Sequence, residues 1–148
     1  MKEAYMRIAL EEARLAQLAG EVPVGAVIVR NGEVISRAHN ERETTGDPTA
    51  HAEVLALRRA AQVQGNWRLE DCSLYVTLEP CPMCAGACVM ARIGEVYFGA
   101  YDPRCGCMGS VYALAEDAAF GRTLPCHGGL LEEECMQMLR SFFDLKRR

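Results

Sequence analysis

The run Pro80-Cys81-Pro82-Met83-Cys84 holds two cysteines separated by two residues, and His51-Ala52-Glu53 lies about 30 residues before it. Cys81 follows a β-type stretch and precedes a helix-compatible one, which is where a helix N-cap sits. Pro82, with its fixed φ, then takes the first helical position. Both sulfurs fall in the first turn, at the positive end of the helix dipole, which favours thiolate over thiol. Two thiolates in such a turn are half of a zinc site. His-x-Glu alone is a weak signal, because a histidine at a helix start is commonly a cap or a packed side chain. Set beside the cysteine pair it supplies a third ligand, and His51, Cys81 and Cys84 together leave a tetrahedral zinc one open position for water. His39 and His127 have no partner spacing that recommends them.

An open zinc position has a chemical consequence. Zinc lowers the pKa of its water from 15.7 to about 7, giving hydroxide at neutral pH. Glu53, two residues past the histidine, reaches the same water without being needed as a ligand. It can take the water's proton and deliver it to a ring nitrogen and a leaving group. The cation would lower the Glu53 pKa and a closed pocket would raise it, and the sequence does not rank the two. Two other classes use the same residues. A non-catalytic zinc module needs a fourth protein ligand, and a Cys-x-x-Cys redox protein needs reversible Cys81–Cys84 oxidation and no metal.

The elements that must position these residues follow from periodicity. Apolar positions at Tyr5, Ile8, Ala9, Leu15, Ala16 and Ala19 predict a helix over residues 2–19, stopped by Gly20. Asn31-Gly32 between apolar runs at 24–29 and 34–40 predicts a hairpin. Residues 41–46 read as a turn. Asp47-Pro48-Thr49 offers a cap for a helix from about Ala50 to Gln64, closed by Gly65. Strands are expected at 73–78, 95–100 and, weakly, 124–126, with a helix from the cysteine turn to about Arg92 and a short one over 111–119. Leu131, Cys135, Met138 and Phe142 mark one face of a last helix, opened by Glu132–Glu134 and closed by Lys146–Arg148. Strands alternating with helices after a hairpin imply a three-layer α/β/α sandwich, in which sites form where helices begin beyond strand ends. His51 and Cys81 both sit at such starts.

At 148 residues, half of them hydrophobic and 24% charged, the chain reads as one soluble globular domain over 1–148. Charges interrupt the N-terminus, no apolar run approaches a bilayer span, and the expected location is cytoplasmic, with no membrane partner. In a reducing compartment the eight cysteines are not a disulfide framework. Beyond the metal pair they are mostly expected to be small buried hydrophobes. The net charge of −4 is uneven: from Arg140 onward the tail is +3, so residues 1–139 carry −7. A basic helix end fits either a phosphate contact or a helix satisfying its own dipole.

His-x-Glu followed by Pro-Cys-x-x-Cys is the signature of zinc-dependent nucleobase deaminases. The likeness extends through VPVGAVIV (22–29), DPTAHAE (47–53), LYVTLEPC (74–81), MCAGA (83–87), RIGEVYFGA (92–100) and the terminal SFFDLKRR. Over nearly its whole length the chain resembles the bacterial tRNA adenosine deaminases of the cytidine/deoxycytidylate deaminase superfamily. That resemblance implies a cytidine-deaminase-like fold with a five-stranded mixed sheet, a Zn²⁺ cofactor and a homodimer. It implies hydrolytic conversion of adenosine to inosine at the wobble position of a tRNA anticodon loop, with release of ammonia. It further implies that Asn40 hydrogen-bonds the base, that the Ala52 backbone helps hold it, and that Asp102 sits in a nucleotide-contacting loop. Phe142 is expected in the core by its spacing, whereas Phe143 fits core or RNA. Cys105-Gly106-Cys107 and Tyr101 depart from the family pattern and bear on RNA docking. A deaminase of free guanine or cytosine shares the metal motifs and is the nearest alternative.

Overall fold

The computed structural model describes residues 1–146. In chain order it contains α1 (Lys2–Leu18), β1 (Gly25–Arg30), β2 (Glu33–His39), α2 (Arg42–Thr45), α3 (Ala52–Gln64), β3 (Cys72–Leu78), α4 (Pro82–Met90), β4 (Glu95–Ala100), β5 (Cys126–His127) and α5 (Glu132–Lys146). The strands form one five-stranded mixed sheet in the order β2-β1-β3-β4-β5. β1 is antiparallel to both β2 and β3, while β4 runs parallel to β3 and to β5.

Strand alternation sorts side chains into two cores, one on each side of the sheet. Ala26, Ile28, Leu74, Val76, Val96 and Phe98 pack with Ala56, Ala60, Ala85 and Cys88, on the face covered by α3 and α4. Val27, Val29, Tyr75 and Tyr97 pack with Met6, Ala9 and Cys135, under α1 and α5. The expected α/β/α sandwich is therefore present. Asn31 and Gly32, with φ of 50° and 78°, turn the β1–β2 hairpin in the left-handed region that a two-residue turn requires. α1 lies directly on the sheet at Gly25, where an added Cβ would sit 1.9 Å from the Ala9 carbonyl oxygen.

Several boundaries differ from expectation, each for a physical reason. Residues 41–46 hold one helical turn, because the distant Glu21 carboxylate accepts the amides of Glu43 and Thr44. α3 begins at Ala52 with His51 as N-cap; Asp47 instead closes a local turn, accepting from Thr49 N and Oγ1. Over 111–119 two 3-10 turns, Leu114–Glu116 and Ala118–Phe120, replace the expected short helix. β5 pairs at Cys126–His127 and not at 124–126: Pro125 has no amide to give, but its carbonyl accepts Val96 N at 2.9 Å, and Leu124 turns its amide to Ala115 O. Arg147 and Arg148, part of the basic end, lie outside the described residues. Among the described residues no helix is long and apolar enough to cross a membrane.

Candidate metal centre and substrate cleft

Two helices start at one place. His51 is the N-cap of α3 and Cys81 the N-cap of α4, with Pro82 at the first helical position. His51 Nδ1 lies 3.6 Å from Cys81 Sγ and 3.4 Å from Cys84 Sγ. All three donor atoms lie within 4.8 Å of one another. A tetrahedral zinc with ordinary Zn–S and Zn–N bonds spaces its nitrogen and sulfur ligands roughly 3.6 Å apart. The donor set and its spacing therefore fit zinc, with three protein ligands.

The electrostatics match that role. The hydrogen bond between the two thiols comes first: with a further bond to His51 it draws Cys81 down to about 4 against the effect of burial. The same thiol–thiol bond, then burial, pushes Cys84 up. His51 is raised by its bond to Cys81, which outweighs burial. One sulfur is already disposed to be a thiolate, and a bound dication would favour the same state in the other.

Glu53 is 4% exposed and lines a cleft of about 200 Å³ together with His51 and Cys81. Burial raises its carboxyl to about 7, although hydrogen bonds from its own amide and from Cys84 oppose the shift. Asn40 and Asp102 line the same cleft. Asn40 Oδ1 accepts the Ala52 amide at 2.8 Å and Nδ2 donates to Val22 O at 3.2 Å. Its carboxamide is thereby fixed in orientation, with one N–H and one lone pair left for a ligand. The Ala52 amide is committed to Asn40. Asp102 follows β4, and its Oδ1 accepts the amides of Arg104 and Cys105. Phe142 is in the core, 7% exposed, and Phe143 is 37% exposed.

Two buried acids that line the cleft or the hollow beside it were not singled out by sequence reasoning. Glu21 holds α2 in place, and with it Arg42 at the edge of the cleft. Glu79 accepts amides from Asp102, Met108 and Ser110. An acid ending an apolar strand two residues before a ligand cysteine was the available signal for Glu79. Of the remaining cysteines, Cys72, Cys88, Cys107 and Cys135 are buried, Cys126 is half-buried, and Cys105 is exposed on the cleft's rim.

A mixed sheet between helical layers, with His, Cys and Cys at converging helix starts and a buried glutamate beside them, defines the zinc-dependent deaminase class. The zinc-binding region of cytidine and deoxycytidylate deaminases matches residues 1–100. The tRNA-specific adenosine deaminase of Bacillus subtilis (strain 168) is 52% identical over 146 residues, covering 99% of this chain and 91% of that protein. That of Aquifex aeolicus (strain VF5) is 45% identical, covering 99% and 96%. A solved structure from studies of A-to-I editing by tRNA:A34 deaminases at the wobble position superposes with a TM-score of 0.89. It is 42% identical and matches 92% of this chain and 99% of that one. Guanine deaminase from Bacillus subtilis is 44% identical over 67% of this chain and 64% of its own, with a TM-score of 0.64. The chain belongs to the cytidine and deoxycytidylate deaminase family, among its tRNA-specific adenosine deaminases.

Proposed function

We propose that this chain converts adenosine to inosine at the wobble position of a tRNA anticodon loop by hydrolytic deamination. The carrying observation is the buried Glu53 carboxyl lining one cleft with His51 and Cys81, whose donor atoms lie within 4.8 Å of each other and of Cys84 Sγ. Zinc held by those three residues supplies the Lewis-acid activation of water. Glu53 moves the protons. It accepts one proton from the attacking water and gives it to ring N1 as the C6–O bond forms; it then takes the second from the new C6 hydroxyl and delivers it to the amino group, so that C6=O forms, the C6–N bond breaks and ammonia leaves. Burial raises this carboxyl to about 7 in the metal-free chain, and a neighbouring dication would draw it back down toward the ionised form that accepts the water's proton. Asn40, fixed by Val22 and Ala52, presents its remaining N–H and lone pair to the purine edge, and the Asp102 loop lines the same cleft.

The rim supports a polynucleotide over a free base. A hollow of about 450 Å³ adjoins the cleft through Val22, Leu78 and Asp102, and is lined by Arg104, Arg140 and Phe143. A second, of about 200 Å³, is lined by Arg42, Phe143 and Lys146. Phe143 stands between them, an aromatic ring for a flanking base with cations on either side for phosphates. The acids Asp102, Asp144 and Glu43 also line these hollows, so the cations are spaced along the rim and do not form one basic field. The enzyme would work in the cytoplasm on tRNA as one deaminase unit over 1–148, and as a homodimer. The test is an ammonia and inosine assay of the zinc-loaded protein on an anticodon stem-loop, on nucleosides and on free guanine. Inosine in the RNA with no turnover of guanine supports the reading; guanine turnover with unchanged RNA overturns it.

A further inference from the structure

Glu79 has no part in the chemistry above, yet its side chain is 2% exposed. It follows the last residue of β3 and precedes Pro80 and Cys81. Its Oε1 accepts the Asp102 amide at 3.0 Å and the Ser110 hydroxyl, and its Oε2 accepts the amides of Met108 and Ser110, each at 3.0 Å. The backbone reinforces the arrangement: Cys107 N donates to Pro80 O at 2.8 Å and Glu79 N to Ala100 O at 2.8 Å. Gly106 packs against the carboxylate so closely that an added Cβ would lie 2.3 Å from Glu79 Cδ and 2.6 Å from Asp102 O. One buried carboxylate thus collects donors from both ends of the loop over 102–110. That loop carries Asp102 and Cys105, which line the same cleft as Asn40.

We propose that Glu79 is a positioning residue, which latches this loop to the metal-binding turn and so sets the width of the cleft the target base enters. The proposal rests on the deaminase reading above. A carboxylate is suited to the task because it presents only acceptors to these donors, whereas an amide would turn its NH₂ group toward some of them. Such a residue acts on how substrate is held, while the metal ligands and Glu53 act on the chemical step.

Glu79→Gln, assayed as the zinc-loaded protein on an anticodon stem-loop, should retain one zinc per chain and keep kcat within about threefold of the parent. Its KM should rise about tenfold or more, the pattern of a loosened binding wall. Gly106→Ala presses on the same latch from the other side with no change of charge, and should give the same split between KM and kcat. It decides the matter if Glu79→Gln does not fold. Amide exchange supplies a readout independent of turnover: Met108 and Ser110 should exchange faster in Glu79→Gln than in the parent. An unchanged KM overturns the proposal, as does loss of zinc or a fall in kcat alone, either of which would place Glu79 in the metal centre. Should the parent fail to deaminate the hairpin, the functional reading fails. The latch is then judged on exchange alone, with parent-like rates at Met108 and Ser110 overturning it.

Discussion

Replacing Glu53 with glutamine separates the metal from the proton transfer. The side chain is 4% exposed and burial holds its carboxyl at about 7. Glutamine keeps the volume but has no proton to accept or return. A positioned acid–base group is worth about 10²–10⁴ in rate, or roughly 3–5 kcal/mol of barrier, so Glu53→Gln should lose at least about a hundredfold in kcat. His51, Cys81 and Cys84 are untouched, and zinc should remain stoichiometric. Glu53→Ala should behave alike in both respects.

A stability effect of opposite sign follows from the same burial. The rise from 4.5 to about 7 corresponds to roughly 3 kcal/mol against the charged form. In chelated protein the unfolded chain gives up this proton first, so stability falls as pH rises from 4.5 toward 7, and the penalty is complete above that. Glu53→Gln removes an ionisable group there, and its chelated form should melt no lower than the parent at pH 8. The assays are single-turnover inosine formation, zinc by elemental analysis, and thermal melts after chelation. A zinc-loaded Glu53→Gln enzyme working at the parent's rate would remove Glu53 from the mechanism.

The other expected outcomes concern the ligands and the supports around them. Because a supporting partner alone is worth about 10–100-fold in metal affinity, loss of a ligand in His51→Ala or Cys84→Ser should weaken zinc binding by more than about a hundredfold. Competition with a chromogenic chelator measures this, and parent-like affinity would refute the assignment. Phe142, 7% exposed, should cost about 3–5 kcal/mol of stability when changed to alanine. Phe143→Ala should leave denaturant midpoints nearly unchanged while weakening stem-loop binding by about 1–3 kcal/mol; unchanged RNA affinity would remove Phe143 as a stacking platform. For Glu21, burial raises the carboxyl, but the Thr44 hydroxyl and the Glu43 and Thr44 amides outweigh it and hold the group below its ordinary 4.5. Its stabilisation is therefore present above pH 4.5 and lost as pH falls through the lower folded value. Glu21→Gln should cost about 1.5–3 kcal/mol at pH 7, with the gap narrowing in strong acid; urea melts showing the same gap at both pH values would contradict this.

The division between what could and could not be read from the sequence follows contact range. Cys81 as N-cap with Pro82 behind it, and Asn31-Gly32 as a hairpin turn, depend on neighbours in the chain, and both stand in the structure as expected. The candidate donors His51, Cys81 and Cys84, which the fold brings within 4.8 Å of one another, were legible because each sits in a local motif at a helix start. The supports of the cleft were not. Glu21 reaches 22 residues along the chain to Glu43, Asn40 reaches 12 to Ala52, and Glu79 reaches 31 to Ser110. No periodicity or turn signal records such a bond, because either partner alone resembles a surface residue.

Asn40 makes the distinction concrete. In the sequence it is an asparagine at the end of an expected strand, suited to reading a purine edge but with a turn as the alternative. In the fold its carbonyl oxygen takes the first amide of α3, the helix that His51 caps. The residue expected to read the base is thus tied to the helix that His51 caps, and Glu79 ties the loop over 102–110 to the turn carrying Cys81 and Cys84. The sheet makes this possible: β1 and β3 are adjacent, β2 leads through α2 to α3, and β3 leads directly into α4. Both helix starts consequently converge at one end of the sheet. Sequence motifs therefore pointed to the family and the donor set, while the bonds that shape the cleft beside them exist only once the chain has folded.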